Sequence, residues 1–256
     1  MNREGASPLA EAMPDPAWLW LGRVPFGETA ELQERLRADV IAGRGVETLL
    51  LCEHDPVITL GRSARREHVL ASAEDLARRG VTVHAASRGG DVTYHGPGQL
   101  VGYPILRLRG GLVSHLEAMA GGLAAMLASF GITATFRRDA PGLWIDRGKG
   151  NPLAKICAFG VHVRHRVTMH GFALNVSTAL DAFDLIVPCG LRDVAVTSMR
   201  ALTGDAPTLA ALAPRAAAAL VDAFGVSFRE RARASAADEA PKNEWSRRHC
   251  IGDSDH

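Results

Sequence analysis

Gly142-Leu-Trp-Ile-Asp146, Arg147-Gly-Lys-Gly-Asn-Pro152, Lys155-Ile-Cys-Ala-Phe-Gly-Val-His-Val163 and Thr168-Met-His-Gly-Phe-Ala-Leu-Asn-Val176 form the stretch that decides the fold. Three apolar runs of strand length follow one another, and only short turns separate them. The glycines and proline of 147–152 mark a hairpin turn. Strands joined so briefly must lie antiparallel, because a parallel connection needs a crossover of a dozen residues or more.

Outward from this core the pattern stays mixed. Ile132–Phe136 is a further strand. Ser114-His-Leu-Glu117 has the form of a capping box and opens an apolar helix that stops at Gly131. Leu100–Leu106 is a strand whose Pro104 predicts an edge position or a bend. Val81–His84 is a strand, and Glu74–Arg79 a short helix ended by Gly80. Thr48–Glu53 is a buried strand, turned by His54-Asp55-Pro56 into Val57–Leu60 as its hairpin partner. Glu28–Ala42 carries Leu32, Leu36 and Val40 at helical spacing, and Thr208–Phe224 is an alanine-rich helix closed by Gly225. The regular alternation of a doubly wound fold is missing. The expectation is a single α/β (α+β) domain around a mixed, largely antiparallel sheet with flanking helices. Its bounds are set at 17–228. Residues 1–16 read as a loose tail, and 229–256 as a charged, disordered one.

Composition excludes several function classes. The chain has 256 residues, 47% of them apolar, and a net charge of +1. That supports one sizeable core and gives no electrostatic footprint for nucleic acid. No run reaches the length of a membrane span, and no secretory leader is evident. Four cysteines, at 52, 157, 189 and 250, fit neither a zinc pattern nor a disulfide framework. Reduced thiols in a cytoplasmic protein, with no metal and no cofactor, are expected.

Three segments carry chemistry. Cys189 sits in Pro188-Cys189-Gly190, where proline fixes the preceding backbone and glycine clears the following position. A buried core cysteine is the commoner fate of this residue type, but the flanking residues disfavour a regular strand and favour a nucleophile. Lys155 lies 34 residues earlier, at the head of an apolar run. An exposed edge lysine is commoner in general; here desolvation would instead tune it for proton exchange. Arg88-Gly-Gly-Asp-Val-Thr-Tyr-His-Gly-Pro-Gly-Gln-Leu100 offers two glycine turns around apolar positions and His95. No phosphate-cradling P-loop pattern occurs. His162, His165 and His170 read as a solvated hairpin rather than a metal site, with His170-Gly171 able to line a pocket. Arg62, Arg65 and Arg66, with Arg164 and Arg166, are local basic clusters on a solvated surface, suited also to an acidic partner.

These segments, with Lys155-Ile-Cys-Ala-Phe-Gly160, His170-Gly-Phe-Ala-Leu-Asn175, Glu53-His54-Asp55-Pro56 and Gly61-Arg62, resemble the lipoyl(octanoyl) transferases. The likeness runs from about Leu49 to Met199. It implies a fold shared with biotin and lipoate protein ligases. It implies octanoyl transfer from octanoyl-acyl carrier protein to lipoyl domains of 2-oxo acid dehydrogenase complexes and the glycine cleavage H protein. Cys189 would take the acyl group, with Lys155 its acid/base partner. Arg88, Gly89, Gly90, Asp91, Val92, Thr93, Tyr94, His95, Ala158, Phe159, Gly160, Gly171, Phe172 and Ala173 would bind substrate. Asp91 and the pair Ala158-Phe159 depart mildly from the family pattern. Three other readings stay open: an ATP-dependent ligase of the same fold, a cysteine thioester hydrolase, and a binding module without activity.

Overall fold

In the computed structural model, which describes residues 16–187 and 195–231, the apolar runs become neighbouring strands. The chain passes through β1 (Ala17–Val24), α1 (Phe26–Ile41), β2 (Thr48–His54), β3 (Val57–Leu60), α2 (Ala73–Arg78), β4 (Thr82–Ala85), β5 (Val92–His95), β6 (Gln99–Ile105) and α3 (Leu112–Ala128). It continues through β7 (Thr135–Arg137), β8 (Gly142–Ile145), β9 (Ala154–Arg164), β10 (Val167–Asn175), β11 (Ala195–Val196), α4 (Met199–Thr203), α5 (Leu209–Phe224) and β12 (Arg229–Glu230). Pro188, Cys189 and Gly190 lie outside the described residues, as do residues 1–15 and 232–256.

The large sheet has the order β12-β1-β2-β6-β10-β9-β8-β7, with β11 added alongside β9. From β2 through β7 every neighbouring pair is antiparallel; β1 is parallel to β2 and β12, and β11 to β9. The sheet is therefore mixed and largely antiparallel, with α3 and α5 over one face and α1 over the other. Leu32, Leu36 and Val40 of α1 pack together against Leu50, Val101 and Ile105, so the helical spacing in the sequence marks the buried stripe. The small sheet β4-β3-β5 encloses a third cluster with Leu76, Phe183 and Leu185. Thr208 caps α5 by accepting from Ala211 N, and Gly225 closes it at φ 61°.

Four expectations need correction. Val57–Leu60 follows the turn but does not pair with β2. Both edges of β2 are taken by β1 and β6, so β3 joins the small sheet. The helix expected from Ser114 begins earlier, at Leu112, with Gly111 as N-cap and no side-chain cap; Glu117 reaches out to Arg138 instead. The charged tail expected from 229 starts as an edge strand, with Arg229 and Glu230 beside Ala17 and Trp18. The domain's sheet thus passes the expected limit at 228.

Pro104, the fourth case, sits in the middle of the sheet rather than at an edge. Its ring faces β10 where the β6–β10 ladder stops, beyond the Gly102–Phe172 pair. His170 turns to φ 59°, and its N–H donates to Gln33 Oε1 at 2.9 Å. Thr168 Oγ1 donates to Pro104 O at 2.6 Å and accepts from Leu106 N at 3.0 Å. The missing donor of proline therefore falls at a break that other groups satisfy. The break also needs Gly171. A Cβ there would lie 2.3 Å from Gly102 O and 2.4 Å from Pro104 Cδ. Gly171→Ala is expected to lower unfolding free energy by about 1–3 kcal/mol, the usual scale of overpacking. Urea titration measures it, and an unchanged midpoint would mean that β6 and β10 can part freely here.

Candidate active site

The register of β9 and β10 sets Gly160 opposite Gly171 and Ala158 opposite Ala173. Small side chains on one face of the sheet leave room above them. The roof is Arg88–Thr93 with His95, docked by Gly89 N donating to Val161 O at 3.2 Å. Phe26 and Tyr103 close the inner end, and Leu112, Leu116 and Asp139–Pro141 form the rim. The enclosed cavity is about 410 Å³, within the ~300–1,000 Å³ of small-molecule sites. Close approach demands glycine at Gly61 as well, where a Cβ would lie 2.3 Å from Gly90 O.

Lys155 opens into this cavity from the start of β9 and is 5% exposed. Its Nζ lies 4.6 Å from the ring centroid of Trp144, its antiparallel partner on β8. The indole face attracts the ammonium and helps to hold it in a site with little water. On its other edge, β9 is paired by β11. Val196 lies beside Lys155, and Thr197 N donates to Lys155 O at 3.0 Å. The two cysteines among the described residues are poor nucleophiles. Cys52 and Cys157 are fully buried, and burial pushes both thiols far up.

A run of buried hydrogen bonds ties the roof to the lysine strand, and its direction follows from atoms with one possible role. Thr197 O can only accept, so Asn175 turns its Nδ2 to it at 3.0 Å and its Oδ1 to Gln99. Gln99 Nε2 then donates to Asn175 Oδ1 at 2.9 Å and to Tyr94 O at 3.2 Å. Its Oε1 is left to accept from His95 Nδ1 at 2.7 Å. His95 therefore keeps an unprotonated Nε2, 3.5 Å from Thr59 Oγ1. Thr59 Oγ1 itself accepts from Arg88 Nε and Nη2 at 3.2 and 2.9 Å. Burial, then the neighbouring His54, brings the His95 pKa down to about 3. Burial, then Arg88, does the same for His170. Both imidazoles meet the cavity as neutral rings.

Of the positions the sequence singled out, Arg88, Gly89, Gly90, Asp91, Val92, Thr93, His95, Lys155, Ala158, Phe159, Gly160, Gly171, Phe172 and Ala173 line this one cavity. Tyr94 does not. Strand alternation sends its ring away from Thr93 and His95, to an edge contact with Phe183 at 5.7 Å. His162 meets Arg37 at 3.0 Å, while His165 and Arg166 make the hairpin turn. Among the described residues no cluster is disposed to hold a metal ion, and no helix is long and apolar enough to cross a membrane. Phe26, Tyr103, Leu116 and Trp144 were not foreseen. The apolar run Gly142–Asp146 pointed to a strand, but only the pairing of β8 with β9 sets Trp144 beside Lys155.

Residues 26–221 match the family described as the lipoyl protein ligase A/B catalytic domain. The chain is 47% identical over 201 residues to an octanoyltransferase of Acidobacterium capsulatum, covering 75% of this chain and 82% of that protein. It is 43% identical over 219 residues to an octanoyltransferase of Chloroflexus aurantiacus, covering 84% and 96%. Among solved structures, a bipartite lipoate protein ligase studied with its E2 lipoyl domain, from Thermoplasma acidophilum, superposes with a TM-score of 0.65. It is 17% identical and covers 88% of this chain and 91% of that one, so the likeness is one of fold.

The neutral histidines make stability depend on pH. Unfolded histidine takes up a proton below about pH 6.5, whereas His95 and His170 resist until about 3. Their contribution is complete above pH 6.5 and is lost as pH falls toward 3, by up to about 1.4 kcal/mol per pH unit for each. His170→Asn, chosen because asparagine tolerates positive φ, should flatten the fall in urea midpoint between pH 6.5 and 4. An equally steep fall would mean that His170 already carries its proton in the folded protein.

Proposed function

This chain belongs to the lipoyl protein ligase A/B catalytic-domain family, and we propose that it transfers an octanoyl group from octanoyl-acyl carrier protein to a lysine of lipoyl domains through a Cys189 thioester. It is an acyltransferase. The acceptors are the lipoyl domains of 2-oxo acid dehydrogenase complexes and the H protein of glycine cleavage. One observation carries the reading. Ala195, six positions after Cys189 in sequence, pairs with Ala154, and Val196 with Lys155. The chain that follows the thiol thus returns to the lysine that faces an apolar cavity.

The chemistry balances without ATP, because the donor thioester is already activated. Lys155 and Cys189 share one proton as ammonium and thiolate, and the thiolate attacks the octanoyl carbonyl. As the C–S bond to the carrier breaks, Lys155 returns that proton to the carrier's sulfur. The octanoyl chain lies over Ala158, Gly160, Gly171 and Ala173, where burial contributes about 0.8 kcal/mol per CH₂. The acceptor lysine amine then attacks the acyl-enzyme. Lys155 takes the amine's surplus proton and gives it to the departing Cys189 thiolate.

The test is intact mass after incubation with octanoyl carrier protein. The wild type should gain one octanoyl group, mapped by peptide analysis to Cys189, and Cys189→Ser should lose transfer. An adduct on Cys52, Cys157 or Cys250, or ATP-dependent activity that survives Cys189→Ser, would discard this mechanism. Lys155→Ala should shift alkylation of Cys189 to higher pH, because a nearby ammonium favours the thiolate. An unaltered pH profile would remove Lys155 from thiol activation.

A further inference from the structure

Residues 61–71 cross from the roof of the cavity to the chain that leads into Pro188-Cys189. On the roof side, Gly61 N donates to Asp91 O at 3.1 Å, Arg62 N to Arg88 O at 3.0 Å and Ser63 N to Gly90 O at 3.1 Å. On the far side, Leu70 N donates to Leu185 O at 2.8 Å, and Val69 bridges to Ile186. His68 belongs to both sides. Its carbonyl accepts from Val187 N at 2.8 Å, and its Nδ1–H donates to Asp91 Oδ2. Asp91 uses its other oxygen, Oδ1, to accept from Arg65 N at 3.2 Å.

The pair is well shielded, with side chains 18% and 11% exposed. A hydrogen bond to an ionised acceptor in such surroundings is shorter and stronger than a neutral one. Both Asp91 oxygens are engaged by the crossing segment, although Asp91 is itself part of the cavity lining. The carboxylate is therefore a tie between the roof and the crossing segment rather than a ligand for an acyl chain. Val187, the residue before Pro188, hangs from the same histidine.

We infer that His68 and Asp91 form a clasp that sets the entry to the Cys189 segment relative to the acyl cavity, which makes His68 a positioning residue for acylation of the thiol. The inference rests on Cys189 being the nucleophile. Reacting atoms need near-attack geometry, and a displacement of about 1 Å can cost about a hundredfold in rate.

The experiment uses the full-length protein with His68→Ala and His68→Asn. Single-turnover acylation by octanoyl carrier protein is followed by intact mass, and amide hydrogen exchange is read over residues 185–187. His68→Ala should slow the maximal acylation rate about tenfold or more, with little change in donor KM or thermal midpoint. His68→Asn, whose amide nitrogen stands where Nδ1 does and can still donate to Asp91, should recover most of that rate. Exchange at Leu185–Val187 should quicken in His68→Ala and not in His68→Asn. A wild-type rate in His68→Ala, a loss that asparagine does not restore, or unchanged exchange at 185–187 overturns the clasp. A wild type that forms no adduct on Cys189 overturns the acyl-enzyme reading instead, and the exchange measurement still decides whether His68 holds residues 185–187.

Discussion

The cavity depends on the register of β9 against β10. Gly160 faces Gly171 and Ala158 faces Ala173, while Phe159 and Phe172 between them pack toward the cluster beneath α3 and α5. A slip of one residue would exchange these two sets and press a larger side chain against the roof, where even a Cβ on Gly160 would lie 3.1 Å from Arg88 Cδ. The register is fixed at both ends of the hairpin. At one end, His165 and Arg166 turn the chain in two residues with φ of 48° and 62°, the hand that matches strand twist. Toward the other, Gly102 admits the Phe172 ring so closely that a Cβ there would lie 2.1 Å from it.

Around that space the polar groups have little freedom. The chain from Arg88 through Thr59, His95, Gln99 and Asn175 to Thr197 runs without a break, and every link is buried. Such a network fixes tautomer and side-chain orientation before any ligand arrives. It joins the small sheet, which bears the roof, to the strand that bears Lys155. A second histidine is held as firmly: His54 gives Nδ1–H to Val24 O at 2.8 Å and accepts from Tyr103 at 2.7 Å. The inner wall of the cavity is aromatic and imidazole in composition and uncharged in its histidines.

Local pattern made the strands and helices legible, because alternation, helical spacing and glycine stops are properties of short segments. The glycine-rich run, Lys155 and the Ala158–Gly160 and Gly171–Ala173 positions were also visible as motifs before any geometry was known. What escaped was set by partners distant in sequence. β3 has no free edge of β2 to join. Pro104 is tolerated centrally only because Gly171, lacking a Cβ, leaves room for its ring and His170 turns to positive φ. Ser114 and Glu117 match a capping box, but the helix starts two residues earlier and Glu117 meets Arg138. Tyr94 turns its ring from the cavity to Phe183, as the period-two alternation that separates it from Thr93 and His95 requires. The link from His68 to Asp91 joins residues 23 positions apart and has no signature in either segment.

The parallel pairing of Ala17 with Arg229 and Trp18 with Glu230 has a kinetic meaning. The outer strand of the large sheet is completed by two segments some two hundred positions apart, and Arg231 N adds a last bond to Trp18 O at 3.0 Å. Loop-closure entropy must be met before such a contact stabilises anything. On the ribosome, β1 exists long before its neighbour and waits with one edge unpaired. The apolar face it offers meanwhile, Leu19 and Leu21 over α1, can be covered by local chain, whereas the backbone edge cannot. The last addition to the sheet is thus also the step that pairs the start of that open edge, at Ala17 and Trp18.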